Sequence, residues 1–217
     1  KYYFNDPVFD FHDIDEDGIQ EIYAITISSG DSVFVNQAEL KPRGNDYRKK
    51  YVTTLGRYRE HLDAAIEGLG FSDITGDSIP EYLFTISAGF TLQPRAVYAW
   101  DIENDWIFRS PFTGMNPKHN NGLITADVND DGIGELFLSS WSTDNYKIPV
   151  PFSDTASYSH VLTKNMKYLY QPVLIAGPSS VSSSFPMTLN DTLHILTIAM
   201  MVRGQENDSK AILFDAQ

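Results

Sequence analysis

FHDIDEDGIQEIYAIT (11–26), FSDITGDSIPEYLFTI (71–86) and TADVNDDGIGELFLSS (125–140) align without gaps. Each has an aspartate at the first motif position (Asp13, Asp73, Asp127) and another at the fifth (Asp17, Asp77, Asp131). Isoleucine follows at the seventh (Ile19, Ile79, Ile133) and glutamate at the ninth (Glu21, Glu81, Glu135). The motifs begin 60 and 54 residues apart, a spacing that chance explains poorly and a structural repeat explains well. After each glutamate comes a short run rich in β-branched and aromatic residues: IYAITIS, YLFTIS and LFLSSW. Such runs fit a pleated, half-buried strand.

Beyond these runs, each unit continues into a second apolar stretch that ends in polar residues: SVFVNQ (32–37), RAVYAWDIEND (95–105) and SHVLTKNMKYLY (159–170). The stretch after Leu193 keeps the strand–turn–strand rhythm, but its loop, Leu189-Asn190-Asp191-Thr192, has lost most of the acids. It reads as a degenerate fourth unit. The expected fold is therefore all-β, with about four β-propeller-type blades and calcium-binding loops between strands. Residues 1–217 would form a single β-propeller or a fragment of one, with units at approximately 8–56, 68–112, 121–175 and 176–217. Two stretches break the rhythm. Tyr58 to Leu69 carries apolar residues at helical spacing and predicts a short inserted helix, led in by a solvated basic loop from Arg43 to Arg59. SSVSSS (179–184) predicts another loop.

The repeated motif has calcium chemistry. Calcium takes six to eight oxygen ligands from carboxylates, amides, backbone carbonyls and water. Side chains at alternate positions of a tight turn converge on one point, and a glycine at the sixth position supplies the positive φ that the turn needs. In the first loop the ligands would be Asp13, Asp15, Asp17 and Glu21 with the carbonyl of Ile19. In the third they would be Asp127, Asn129, Asp131 and Glu135 with the carbonyl of Ile133. The middle loop is poorer: Thr75 and Ser78 replace an acid or amide and a glycine, leaving Asp73, Asp77, Glu81 and the carbonyl of Ile79. Without a cation, carboxylates so close would repel by several kcal/mol. An EF-hand would require glutamate at loop position twelve, where this chain has Ala24 and Leu138. Acidic turns with no ion are the competing reading.

The motif D-x-[DNT]-x-D-[GS]-x-x-E between strands resembles the FG-GAP or VCBS repeats of integrin-type β-propellers. SAGFTLQPRAVYAWDIEND (87–105), DVNDDGIGELFLSSWSTDNY (127–146) and SDTASYSHVLTKNMKYLYQP (153–172) resemble, more loosely, the periplasmic propeller region of bacterial membrane-bound sensor histidine kinases. These resemblances imply an extracytoplasmic (periplasmic or cell-surface) ligand-binding or sensing module, stabilised by Ca²⁺ and belonging to a membrane-anchored signalling receptor. An adhesion or surface-interaction module and a polysaccharide-active enzyme are the alternatives.

Composition narrows the classes further. Sixteen Lys and Arg against 29 Asp and Glu give a net charge of −13, which argues against a nucleic-acid partner. No run is apolar enough over about 20 residues to insert in a bilayer. The absence of cysteine removes disulfides, thiolate metal sites and thiol nucleophiles. A start at Lys1 is expected of a processed chain or a piece of a longer one. The five histidines are scattered, and no nucleophile elbow, P-loop or zinc motif occurs, so no enzyme activity is expected. The ligand stays unidentified; Arg95, Trp100, Trp141, Asn145 and Tyr146 stand near predicted strand ends where a ligand face could form. Exposed blade edges would favour self-association.

Overall fold

A computed structural model describes residues 9–41, 44–56, 64–88, 93–113, 116–118, 124–142, 155–201 and 209–215. The protein is all-β; among the described residues the helical content is one 3₁₀ turn, Lys164–Met166. Strands β1 (Phe9–His12), β2 (Glu21–Ile27), β3 (Ser32–Lys41) and β4 (Gly44–Thr54) form an antiparallel sheet in sequential order. Strands β5 (Ala64–Ser72), β6 (Glu81–Ala88), β7 (Arg95–Asp101) and β8 (Trp106–Arg109) repeat that arrangement.

The third sheet has nine strands. It begins with β9 (Asn116–Lys118), β10 (Ile124–Ala126), β11 (Glu135–Trp141), β12 (Ser157–Thr163) and β13 (Lys167–Tyr168). Here β10, β11, β12 and β13 again pair in sequential order. The last unit differs, because β15 (Ser180–Leu189), β16 (Thr192–Met201) and β17 (Lys210–Asp215) are hydrogen-bonded to that same sheet through β11. Strand β14 (Val173–Ala176) lines the outer side of β12.

Period-two alternation explains how the sheets stack. In β6, Tyr82, Phe84 and Ile86 join a core with Tyr23, Ile25, Val33 and Val35 of the first sheet. The intervening Leu83 faces the other way, into a core with Leu136, Leu138 and Leu162 of the third sheet. Strand β7 divides likewise: Tyr98 and Trp100 face one side, Val97 and Ala99 the other. Every residue of β6 and β7 is consequently buried. Rings carry much of the first interface, with Tyr23 and Tyr82 centroids 5.3 Å apart and Tyr23 edge-on to Phe71 at 4.8 Å. A third core joins Phe137 and Val161 to Ile195 of β16. Among the described residues no extensive packing joins β1–β4 to β14–β17. The outward face of the first sheet thus exposes Phe9, Phe11, Tyr47 and Tyr51, each more than half accessible.

Three expectations are corrected. The helix over 58–69 is replaced, where that stretch is described, by strand β5, which pairs with β6 from Ala64↔Ala88 to Ser72↔Glu81. Ile66 and Leu69 lie three apart and enter opposite cores, as a strand requires and a helix face does not. A bulge between Gly68 and Gly70, with Gly70 at φ +98°, shifts the register there. Residues 58–63 lie outside the described residues. The basic loop is an exposed edge strand over Gly44–Thr54, where lysine and arginine discourage further pairing. Ser180–Ser184 of SSVSSS form the largely buried start of β15, with Ser179 in the turn before it.

That last correction explains the curl of the third sheet. Strand β11 pairs with β12 through Leu136–Leu138 and with β15 through Ser139–Trp141, so β15 wedges between them. Small side chains let the backbones meet, and their hydroxyls satisfy each other: Ser140–Ser182 at 2.7 Å, Ser139–Ser183 at 3.0 Å and Ser157–Ser180 at 2.8 Å. Ser182 also donates to the Tyr158 carbonyl at 2.7 Å. Buried hydroxyls are tolerated only when paired in this way.

Candidate metal centre

Each acidic loop links the first and second strands of a sequential meander, and its glutamate is the first residue of the second strand (Glu21, Glu81 and Glu135, each nearly fully buried). The carboxylate folds back along the loop and accepts the amide seven residues earlier. Those bonds run from Ile14 at 2.9 Å, Ile74 at 2.7 Å and Val128 at 2.9 Å. The first aspartate accepts the sixth-position amide: Gly18 to Asp13 at 2.9 Å, Ser78 to Asp73 at 2.8 Å and Gly132 to Asp127 at 2.8 Å. The fifth-position aspartate accepts the isoleucine amide: Ile19 to Asp17 at 2.8 Å, Ile79 to Asp77 at 2.9 Å and Ile133 to Asp131 at 2.9 Å. Position six is left-handed in all three, at φ +88° for Gly18, +75° for Ser78 and +85° for Gly132. Ser78 therefore adopts the glycine conformation at a steric cost.

One frame holds three different interiors. In the first loop, carboxylate oxygens of Asp13, Asp15 and Glu21 lie within 4.8 Å of one another. Asp13 Oδ1 and Glu21 Oε1 are buried there with no hydrogen-bond donor. In the second loop Asp73, Asp77 and Glu81 converge as closely, although its sequence is the poorest of the three. Thr75 is drawn in as well, its hydroxyl donating to Glu81 Oε1 at 3.1 Å. In the third loop a neutral amide bridges the acids. Asn129 Nδ2 donates to Asp131 at 3.1 Å and to Glu135 Oε1 at 3.0 Å, and Thr163 donates to the same Glu135 oxygen at 2.8 Å.

The electrostatics agree with this division. Burial, reinforced by the Asp73 and Asp77 charges, pushes Glu81 up to about 7. Glu21 is also raised, first by burial and then by the Asp15 and Glu39 charges, with the Ile14 amide opposing. Two buried acidic clusters of oxygen donors can thus hold a metal ion, and the donorless oxygens of Asp13 and Glu21 fit that role.

Glu39 was not visible as a site residue from the motif. The β2–β3 ladder ends at Ile22↔Ala38, so Glu39 stands across from Glu21 one step further. The same step places Asp101 opposite Glu81 and Thr163 opposite Glu135. Only hairpin register reveals these partners. Of the residues expected near a ligand face, Trp100 and Arg95 serve the fold. Trp100 is wholly buried in the first core, and Arg95, also buried, donates through Nε to the Ala88 carbonyl at 2.8 Å. Trp141 ends β11 beside β15, while Asn145 and Tyr146 lie outside the described residues.

No known protein family, curated protein or solved structure matches the chain. The resemblance to FG-GAP and VCBS repeats and to sensor kinases accordingly rests on the sequence alone.

A carboxyl raised from 4.5 to about 7 binds its proton more tightly in the folded chain than in the unfolded one. In chelator, Glu81 should therefore make stability fall as pH rises between those values. Urea unfolding of wild type and Glu81→Gln checks this: the variant's relative stability should grow across that window and level off above it. A pH-independent difference between the two proteins would contradict it.

Proposed function

We propose that the chain is a calcium-stabilised β-propeller-type module that binds or senses a ligand outside the cytoplasm. The sequential four-stranded meanders, stacked face to face by alternating side chains, support reading the sheets as blades. The observation that carries the calcium assignment is the repeated frame itself. Amides hold one oxygen of each key carboxylate, and at Asp13 and Glu21 the other oxygen is left buried without a donor. An all-oxygen donor set of several carboxylates suits a hard cation and offers zinc neither nitrogen nor sulfur. The carbonyls of Ile19, Ile79 and Ile133, with water, would complete the coordination.

Bound calcium would neutralise the acids and tie the first two strands of a blade together. Millimolar external calcium fills even a weak site of this kind, which supports an extracytoplasmic setting. The resemblance to sensor-kinase propellers supports a place in a membrane-anchored signalling receptor. Among the described residues no helix is long and apolar enough to cross a membrane. The uncovered aromatic face of the first sheet supports packing against a further blade or a second copy.

Calorimetric titration of the calcium-free chain tests the assignment. Both acidic clusters should take up calcium, and Glu21→Gln should abolish one of these events while sparing the other. Absence of calcium uptake would remove the metal reading. Sedimentation at micromolar concentration should show self-association; a monodisperse monomer would count against packing through the aromatic face.

A further inference from the structure

The stack of sheets ends in two apolar faces, one at the first sheet and one at the last three strands. Alternation along β2 and β3 turns Tyr23, Val33 and Val35 into the first core and the residues between them outward. Phe9 and Phe11 of β1, Leu40 of β3, and Tyr47 and Tyr51 of β4 stand on that outward face, each more than half exposed. The chain has a net charge of −13, yet the strand residues of this face include no carboxylate. Their one charge is Lys49, whose Nζ sits 4.1 Å above the centre of the Phe34 ring.

The other face is aliphatic. In β16, Ile195 and Ala199 turn into the cores, so Ile198 and Met200 point away from them. Leu213 of β17 and Met187 and Leu189 of β15 share that outward side, each more than a third exposed. Asp215, exposed at the end of β17, is the one carboxylate on these three strands. Lys49 and Asp215 both stand on edge strands, β4 and β17. They also stand at similar heights: Lys49 is level with Ala24, the fourth residue of β2, and Asp215 with His194, the third of β16.

We propose that the two faces cover each other between two copies of this chain. The aromatic face of one copy packs on the methionine- and leucine-rich face of the other, with Lys49 beside Asp215. This rests on reading the aromatic face as a packing surface, and it names the surface that meets it. Flexible thioether and leucine side chains fill the gaps between rings, and sulfur–ring contacts are favourable. Pairing either face with its own kind would instead bring like charges onto one interface. Area decides the number of contacts. At a rise of about 3.3 Å and a spacing of about 4.8 Å, the 32 strand residues of β1–β4 cover about 500 Å² and the 26 of β15–β17 about 400 Å². One contact offers about half of the roughly 800 Å² per partner of a stable dimer. A pair closed by a two-fold axis makes the contact twice and reaches that area.

The test is analytical ultracentrifugation of the full chain in saturating calcium over a range of concentrations. A monomer–dimer equilibrium with no larger species is expected. Phe11→Asp and Met200→Asp, at exposed positions on opposite faces, should each weaken dimerisation by about tenfold or more. Lys49→Glu should weaken it about fivefold at low salt, and adding Asp215→Lys should restore most of the loss. Both charge reversals are at exposed positions, so they decide the question even if an aspartate variant does not fold. A dimer lost in Phe11→Asp but untouched by Met200→Asp would overturn this inference and leave the aromatic face as a packing surface for another partner. A wild-type monomer would overturn both readings. Open-ended assemblies, or a charge-reversed pair no better than Lys49→Glu alone, would contradict the closed head-to-tail arrangement.

Discussion

A buried glutamate carboxylate that accepts a backbone amide seven residues upstream organises each acidic loop. Through it the loop closes at the point where the second strand of a meander begins, and in the second sheet that strand then carries the residues that pack on both neighbouring sheets. Glu81 leads into β6, which is buried at every position. Removing this bond would leave an amide and a carboxylate buried and unpaired at the entry to the central layer, a cost of several kcal/mol. The frame tolerates different interiors because its bonds come mainly from the backbone: three acids, three acids with a threonine, or acids bridged by an asparagine.

The stacking that follows is governed by alternation. A strand buried on both faces must satisfy two cores at once, and β6 and β7 do so with large rings on one side and smaller aliphatics on the other. Where the third sheet curls, close approach is reached with serine instead. Hydroxyls paired across β11, β12 and β15 let one strand enter between its neighbours without stranding polar groups.

Features set by local spacing were legible in the sequence. The loop frame spans at most seven residues, so its aspartates, isoleucines and glutamates stand in register along the chain. The strands after each glutamate were legible for the same reason. Features set by distant partners were not. SSVSSS has the composition of a loop and becomes a strand only because other serines meet it. Ala64–Leu69 mimics a helix because a glycine bulge disturbs the alternation that would mark a strand. Glu39 carries no local signal, since only the length of the β2–β3 hairpin sets it opposite Glu21.

If the acidic loops are calcium sites on which the fold relies, the thermal unfolding of the full chain must respond to the ion. Comparing millimolar calcium with chelator decides the matter. The melting temperature should be higher with calcium and should rise further with its concentration, as linkage requires. Identical unfolding in both conditions would reduce the three loops to acidic turns and leave the stacked sheets to stand on their side-chain packing alone.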